Sequence, residues 1–200
     1  MNTPNSINMS TGYLELIIGP MFSGKTSKLL EIYKQCIFCN IPVAIINHSC
    51  DNRYHETMMS SHDKIMAPCL QCSEINHFWS ENVPMNNLKS AEVILINEGQ
   101  FFPDLYEVVS DMLLCNKQIY ICGLDGDFER KKFGSILDLI PLCDKVTKIT
   151  SLCSLCKNGT PGIFSMRLTK EKEQLVVGSE NYIPVCRVCY DKNVNTVNNP

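Results

Sequence analysis

The segment GPMFSGKT, residues 19–26, constrains the fold and chemistry of this chain more than any other feature. It follows the apolar run YLELII and precedes a stretch whose apolar residues recur at helical spacing, which indicates a strand, a tight turn and a helix. In that setting Gly-x4-Gly-Lys-Thr predicts a phosphate-binding loop, because backbone N–H groups and the helix N-terminus attract phosphate oxygens. A glycine-rich turn that only begins a helix would not require the adjacent lysine and threonine. We therefore expect a nucleoside triphosphate to contact Gly19, Pro20, Met21, Phe22, Ser23, Gly24, Lys25 and Thr26.

The last two residues of this loop have side chains suited to a metal-bound triphosphate. A lysine ammonium at position 25 can reach the β- and γ-phosphates, and the Thr26 hydroxyl can ligate Mg²⁺. The sequence therefore predicts that Thr26 belongs to a magnesium site.

Short apolar runs indicate the fold class. Residues 13–18, 43–47, 93–97 and 118–124 are mostly continuous in apolar character, as expected of parallel strands covered on both faces. A further run spans residues 145–150, and stretches with helical spacing lie between the runs. Strands that alternate with helices predict an α/β fold with crossover connections.

Composition excludes several functional classes. The net charge is −3 and the pI is about 5.8, so no overall basic field predicts a nucleic-acid partner. No apolar run reaches the roughly eighteen residues that a membrane span requires. The polar N-terminal segment lacks the apolar centre of a secretory signal. Twelve cysteines without such a signal predict a reducing compartment, the cytoplasm, with thiols or metal rather than disulfides.

Four Cys-x-x-Cys pairs offer candidate metal ligands: Cys36/Cys39, Cys69/Cys72, Cys153/Cys156 and Cys186/Cys189. A structural zinc site takes four thiolates from two such pairs, each on a tight turn. The third pair precedes a glycine that suits this turn, and the fourth follows a strand begun by proline, so we predict zinc at these two pairs. A site built from the first two pairs is the alternative, although Cys36 continues the predicted helix and is better explained as a core residue. Four protein ligands would fill the tetrahedron, so the zinc would be structural.

A change in sequence character near Thr150 predicts the domain boundaries. The strong apolar runs end there, and the following residues, rich in Gly, Lys and Glu, lie between two cysteine pairs. We expect a P-loop α/β nucleotide-binding domain at residues 12–150 and a zinc-binding lid subdomain at residues 151–191. Residues 1–11 and 192–200 are predicted to be flexible tails.

Glu98 directly follows the apolar run that ends at Asn97. In many nucleotide-hydrolysing proteins such a strand ends in an aspartate that helps to hold magnesium, whereas here that position carries a neutral amide. A carboxylate beside the phosphate loop can accept the proton of a hydroxyl that attacks the γ-phosphorus in line. Alternatively, Glu98 caps a turn or a helix.

Together these features resemble those of thymidine kinases of the cellular and poxviral type (type II). The likeness runs in order from about residue 13 to residue 190, which makes it far more specific than a phosphate loop alone. It is carried by GPMFSGKT (19–26), DNRY (51–54), SHD (61–63), NEGQFFPD (97–104), GLDGDFERKKFGSILDLIPL (123–142), the cysteine pair at 153 and 156, and VGSENYIPVCRVCY (177–190).

The resemblance implies a RecA-like P-loop domain with a parallel sheet and a small zinc-bound lasso subdomain, and usually a homotetramer. It implies that ATP phosphorylates the 5′-hydroxyl of thymidine to give thymidine monophosphate and ADP in nucleoside salvage, with deoxyuridine as a second candidate substrate. In that family the carboxylate at the position of Glu98 acts as the base on the 5′-hydroxyl. Feedback inhibition by thymidine triphosphate is also usual.

The resemblance further implies a nucleoside pocket. A planar pyrimidine is held by aromatic faces and by backbone amides that bind its edge. By resemblance the base would contact Met21, Phe101, Leu124, Phe128, Phe133 and Tyr182, with main-chain groups from Val176, Val177 and Gly178. Candidate phosphate or substrate clamps are Asp51, Arg53 and Arg167, whereas Arg130, Lys131 and Lys132 could assist them or form a solvated charged turn.

The chain departs from the family pattern at Asn97, where most relatives have aspartate. Three interpretations follow: Thr26 and the phosphates hold magnesium while Asn97 contacts a metal-bound water, Glu98 takes part of the metal role, or the chain binds ligands without turnover. We favour the first, because the other site residues that can be matched are present.

Two other functions compete with that of a deoxynucleoside kinase. One is a P-loop ATPase whose zinc ribbon binds nucleic acid, although the zinc segment lacks a dense basic stripe. The other is a catalytically weak nucleotide-binding homologue, which the amide of Asn97 makes conceivable.

Overall fold

The computed structural model describes residues 11–50, 58–60, 66–80, 88–176 and 178–197. Its strands are β1 (Tyr13–Ile18), β2 (Val43–His48), β3 (Met58–Ser60), β4 (Met66–Pro68), β5 (Leu70–Cys72), β6 (Val93–Asn97), β7 (Gln118–Gly123), β8 (Lys145–Lys148), β9 (Ser151–Leu152), β10 (Pro161–Gly162), β11 (Phe164–Arg167) and β12 (Tyr182–Val185). Its helices are α1 (Lys25–Phe38), α2 (Asn76–Ser80), α3 (Leu105–Leu114) and α4 (Arg187–Val197), with 3₁₀ segments at Gly99–Phe101, Ile136–Leu142 and Ser179–Asn181. No helix in these described ranges is long and apolar enough to cross a membrane.

A six-stranded sheet in the order β5-β2-β6-β7-β1-β8 forms the centre of the molecule, and all its neighbouring strands are parallel. The predicted α/β fold is therefore confirmed, although the last two predicted strands end earlier, at Gly123 and Lys148. Strand β7 separates β1 from β6, which is the arrangement of a RecA-like P-loop domain. The residues that follow β1 and β6 thus leave the same edge of the sheet about 10 Å apart.

Apolar side chains cover both faces of this sheet. Leu14 and Leu16 of β1 point to one face and pack in the same cluster as Val109 of α3, whereas Ile17 points to the other and packs with Leu29 of α1. Parallel strands buried on both faces need this continuous apolar character, which explains the runs seen in the sequence. Because α1 begins directly after the loop that follows β1, packing of α1 fixes that loop against the sheet.

The residues after Thr150 form a small lobe of two antiparallel ribbons, β9 with β10 and β11 with β12, followed by α4. Its core contains Cys153, Met166, Val185, Cys186 and Tyr190. Helix α4 continues to Val197, beyond residue 192 at which the predicted C-terminal tail begins. The first ten residues and residues 198–200 lie outside the described residues.

Candidate active site and metal centre

An open cavity lies at the carboxyl ends of β1, β6 and β7. The phosphate loop contributes Met21, Phe22, Ser23, Gly24, Lys25 and Thr26 to its wall. The predicted catalytic and substrate-binding residues that also line the cavity are Glu98, Phe101, Leu124, Phe128, Phe133, Val176, Gly178 and Tyr182. Residues that are distant in sequence therefore line one shared space.

Four of the other predicted residues lie away from this wall. Gly19 and Pro20 form the base of the loop, and neither Asn97 nor Arg167 lines the cavity. Asp51, Arg53 and Val177 lie outside the described residues, so their roles stay predictions.

The phosphate loop is closed by hydrogen bonds to one of its own carbonyls. The buried Lys25 donates from Nζ to the Pro20 carbonyl at 2.7 Å, and Ser23 Oγ donates to the same oxygen at 2.8 Å. A side chain at Gly19 would bring its Cβ to 2.2 Å from the carbonyl oxygen of Ile149, so only glycine fits there. These hydrogen bonds fix the conformation of the loop, and Lys25 lies at the cavity wall.

Glu98 follows the central strand β6 in a left-handed backbone conformation, with φ of 55°. It occupies the N-cap position of the 3₁₀ turn Gly99–Phe101, but its side chain makes no capping hydrogen bond. Its carboxylate Oε2 instead accepts a hydrogen bond of 2.7 Å from Gln100 Nε2. The simple capping role considered above therefore does not explain this side chain.

Gln100 holds Glu98 and was not identified from the sequence. It is only 3% exposed, and its Oε1 accepts a hydrogen bond of 2.9 Å from the backbone N–H of Leu124. A Cβ at Gly123 would lie 2.4 Å from that oxygen, so this glycine makes room for the amide. One side chain thus ties the residue after β6 to the residue after β7. The only sequence signal was a polar residue between Gly99 and two phenylalanines.

Asn97 lies fully buried behind Thr26. Its Oδ1 accepts hydrogen bonds from Thr26 Oγ1 at 3.3 Å and from Cys122 Sγ at 2.9 Å, and its Nδ2 donates to Asn47 Oδ1 at 2.7 Å. Asn47 is its register partner on β2. Asn47 Nδ2 is buried and has no hydrogen-bond partner among the described residues. The amide at position 97 therefore supports the Thr26 hydroxyl through a neutral network.

The predicted base pocket is built from aromatic rings that follow different strands. Phe101 and Phe133 meet edge to face, with ring centroids 5.4 Å apart and planes at 86°. Phe128, Leu124 and Tyr182 add further apolar wall. Such a slot suits a planar ring, which gains from both aromatic contact and exclusion of water.

The small lobe closes over this pocket through polar contacts that the sequence did not reveal. Ser165 Oγ of β11 accepts a hydrogen bond of 2.9 Å from the backbone N–H of Met21 in the phosphate loop. Gln174 Nε2 donates to Asp127 Oδ2 at 2.7 Å. These contacts join residues far apart in the chain, so no local pattern could have indicated them.

The basic turn after Phe128 forms surface ion pairs. Arg130 pairs with Asp191 at 2.9 Å, Lys131 with Glu129 at 2.6 Å and Lys132 with Asp138 at 2.7 Å. None of the three basic residues lines the cavity. These positions agree with a solvated charged turn rather than with assistance to a phosphate or substrate clamp.

The third and fourth cysteine pairs converge as predicted. The Sγ atoms of Cys153, Cys156, Cys186 and Cys189 all lie within 4.8 Å of one another, and this is the one group of candidate metal-binding side chains among the described residues. Cys156 Sγ is 3.8 Å from Cys186 Sγ and 3.4 Å from Cys189 Sγ. A zinc tetrahedron with Zn–S bonds near 2.3 Å has edges of about 3.8 Å, so this donor set fits zinc.

The electrostatics of the cluster also suit a metal cation. Burial opposes ionisation of Cys153, but backbone N–H groups of Cys156, Cys186 and Leu155 outweigh it and lower the pKa of this thiol to about 6. The neighbouring Cys156 thiol and burial raise the pKa of Cys189 to about 12. Four crowded thiols cannot all ionise alone, whereas a divalent cation would stabilise all four thiolates.

The two early pairs do not form such a group. Cys36 is buried in α1, where it packs in the core cluster beneath that helix, whereas Cys39 is exposed. Cys72 is buried at the end of β5 against the opposite face of the sheet. The alternative zinc site is therefore wrong.

The chain is similar to known proteins over nearly its whole length. The profile of the family described as "Thymidine kinase" matches residues 12–190. The thymidine kinase of Yaba monkey tumor virus is 36% identical over 187 residues, which cover 93% of this chain and 98% of that protein. The thymidine kinase of Oryza sativa is 39% identical over 182 residues, covering 90% and 66%. The cytosolic thymidine kinase of Cricetulus griseus is 36% identical over 190 residues, covering 94% and 77%.

Among solved structures, domain III of the Thermotoga maritima replication initiation protein DnaA is similar with a TM-score of 0.41 and 16% identity. The similarity covers 72% of this chain and 57% of that one.

Proposed function

Because the chain belongs to the thymidine kinase family, we propose that the cavity described above transfers the γ-phosphate of ATP to the 5′-hydroxyl of thymidine. One observation carries this proposal: the phosphate loop, Glu98 and the aromatic slot line the same cavity. A triphosphate on the loop and a nucleoside in the slot would meet beside Glu98. The products are thymidine monophosphate and ADP.

In this reaction Glu98 takes the role of general base. As the 5′-oxygen bonds to the γ-phosphorus, the bond from that phosphorus to the departing ADP oxygen breaks and the hydroxyl proton passes to the Glu98 carboxylate. Gln100 positions the carboxylate through its 2.7 Å hydrogen bond. Lys25, at the cavity wall, balances charge on the phosphates. The small lobe excludes water, which would otherwise compete with the nucleoside as acceptor of the phosphoryl group.

Magnesium and zinc have different places in this proposal. Thr26 would hold Mg²⁺, because its hydroxyl proton can point to Asn97 Oδ1 and leave the oxygen lone pairs facing the cavity. When bound, Mg²⁺ neutralises charge on the β- and γ-phosphates. The predicted contact of Asn97 through a metal-bound water stays a prediction, since the buried amide reaches the site through Thr26. Zinc on the four cysteines would be structural.

The direct test is formation of thymidine monophosphate by the purified protein with ATP and Mg²⁺. We expect product and an equal amount of ADP. ADP without nucleotide product would identify an ATPase, and binding of both substrates without product would identify a non-catalytic homologue. Deoxyuridine assayed in parallel tests how strictly the slot requires the base methyl group.

Asn97→Asp is expected to lower the Mg²⁺ concentration for half-maximal activity by about threefold to tenfold, since it adds a negative charge behind Thr26. The new carboxylate would face Asn47 Oδ1, but rotation of the Asn47 amide would instead present its Nδ2, which has no partner within the described part of the chain. Asn47→Asp, which adds the same charge one strand farther away, should have a smaller effect. An unchanged or higher magnesium requirement in Asn97→Asp would contradict this account.

We also propose that the protein assembles into a homotetramer and that thymidine triphosphate inhibits it, as the family resemblance implies. Strand β8 is an edge of the described sheet and exposes Val146, so it offers backbone groups and apolar surface to another copy in a homotetramer. Thymidine triphosphate combines the base of one substrate with the phosphates of the other and suits the same cavity as an inhibitor. The cytoplasm, with its reduced thiols, is the expected location. Light scattering tests the homotetramer, and inhibition kinetics test the effect of thymidine triphosphate.

A further inference from the structure

Arg167 ends strand β11, and its guanidinium binds the segment of chain that follows it. Nη1 donates to the carbonyl oxygens of Glu171 at 2.9 Å and Glu173 at 2.5 Å, and Nη2 donates to that of Gln174 at 3.0 Å. Three backbone carbonyls of one loop therefore converge on a single side chain. We refer to residues 168–176 as the lid segment.

The same guanidinium also binds two aromatic side chains of the cavity wall. Nη2 and Nε donate to the Tyr182 hydroxyl at 2.6 Å and 3.2 Å, and that hydroxyl donates to the Val176 carbonyl at 3.2 Å. The guanidinium carbon lies 3.7 Å from the ring centroid of Phe128. Val176, Tyr182 and Phe128 all line the cavity.

These contacts occupy every donor that arginine has. A guanidinium carries five N–H groups, and the five hydrogen bonds of Arg167 to the lid segment and Tyr182 use them all. Binding a phosphate would require it to break some of these bonds. Arg167 also lies outside the cavity wall, so the expectation that it clamps a phosphate or the substrate is not supported.

We infer that Arg167 is a positioning residue that holds the lid segment, Phe128 and Tyr182 in the shape that accepts the nucleoside, and so sets the affinity for nucleoside but not for ATP. This inference rests on the proposed function of the cavity. The phosphate loop is connected to the small lobe at Ser165 instead, two residues earlier in β11. The two ends of the cavity are therefore held by separate contacts.

Arginine is required at this position by geometry. The planar fork directs its donors to several carbonyls at once while its face stacks on an aromatic ring. A lysine ammonium has three donors and no plane, so it cannot replace these contacts. Without the fork the lid segment must be ordered by the nucleoside itself, and that ordering lowers apparent affinity.

The test compares Arg167→Lys and Arg167→Gln with wild type, measuring KM for thymidine, KM for ATP, kcat and melting temperature. We expect KM for thymidine to rise about tenfold or more in both variants, while KM for ATP stays within about twofold. Arg130→Gln is the matched control, because Arg130 also stacks on a ring, 4.4 Å from that of Tyr190, but does not line the cavity. It should leave both KM values unchanged.

Three outcomes would overturn the inference while leaving the kinase function intact: equal rises in both KM values, full activity of Arg167→Lys, or unchanged kinetics in Arg167→Gln. If the wild-type protein forms no thymidine monophosphate, the proposed function itself is refuted. If Arg167→Gln does not fold, Tyr182→Phe serves as the second variant, since it removes only the hydroxyl that links Arg167 to Val176. It should raise KM for thymidine in the same selective way, and an unchanged or unselective result would count against the inference.

Discussion

Replacing Glu98 by glutamine is expected to lower kcat by about 10²- to 10⁴-fold, the usual contribution of a general base. The variant keeps the shape of the side chain but cannot accept the proton of the 5′-hydroxyl. Its amide can still pair with Gln100 after rotation, so the turn at Gly99–Phe101 should persist. The measurement is thymidine monophosphate formation in a single turnover, which separates the chemical step from product release.

Two comparisons show whether the loss of rate is specific to the general base. ATP affinity should remain near wild type in Glu98→Gln, because the phosphate loop is formed by other residues. Glu107→Gln, which removes a carboxylate from the exposed face of α3, should leave kcat unchanged. A Glu98→Gln rate within a few-fold of wild type would require another proton acceptor and would refute the assigned role.

Replacing Cys186 by serine is expected to abolish zinc binding and thymidine turnover together. Zinc binding contributes about 10 to 16 kcal/mol in zinc-finger peptides, and a small lobe with few apolar residues cannot replace that contribution. The lobe carries the lid segment and Tyr182, so its loss opens the nucleoside pocket. The P-loop domain has its own core on both sheet faces and should stay folded and bind ATP.

Zinc content by elemental analysis, thymidine turnover and ATP binding are measured on the same preparation. Cys39→Ser is the control, because it alters an exposed member of another Cys-x-x-Cys pair and should keep zinc and activity. Retention of zinc by Cys186→Ser, or full turnover without zinc, would contradict a structural metal at this cluster.

Some features of the site could be predicted because their chemistry is local. The phosphate loop needs glycines, a lysine and a threonine within eight residues, and α1 follows at once. The cysteine pairs could be found by spacing, and the choice between them followed from the neighbouring glycine and proline. The extent of α4 beyond residue 191 could not be predicted, because polar composition says little about a helix that continues from a folded turn at Cys186.

Other features depend on which strands are neighbours. The Thr26–Asn97 and Asn97–Asn47 bonds join residues 71 and 50 positions apart, and the Met21–Ser165 bond joins residues 144 positions apart. Sequence spacing contains no information on such pairs. The same holds for Gln100, whose side-chain amide nitrogen and oxygen bind residues that follow different strands.

The sequence by itself determined the fold class, and it predicted the phosphate loop, the catalytic role of Glu98 and the four zinc ligands, because each depends on a local pattern of residue types. Only the tertiary structure decided that Asn97 supports Thr26 from behind, that Gln100 holds Glu98, and that Arg167 donates hydrogen bonds to the lid segment. The physical reason is that hydrogen-bond partners are assigned by strand order, register and loop path. A side chain of given chemistry therefore acquires its role only once the strand order, the register and the loop path place it beside its partners.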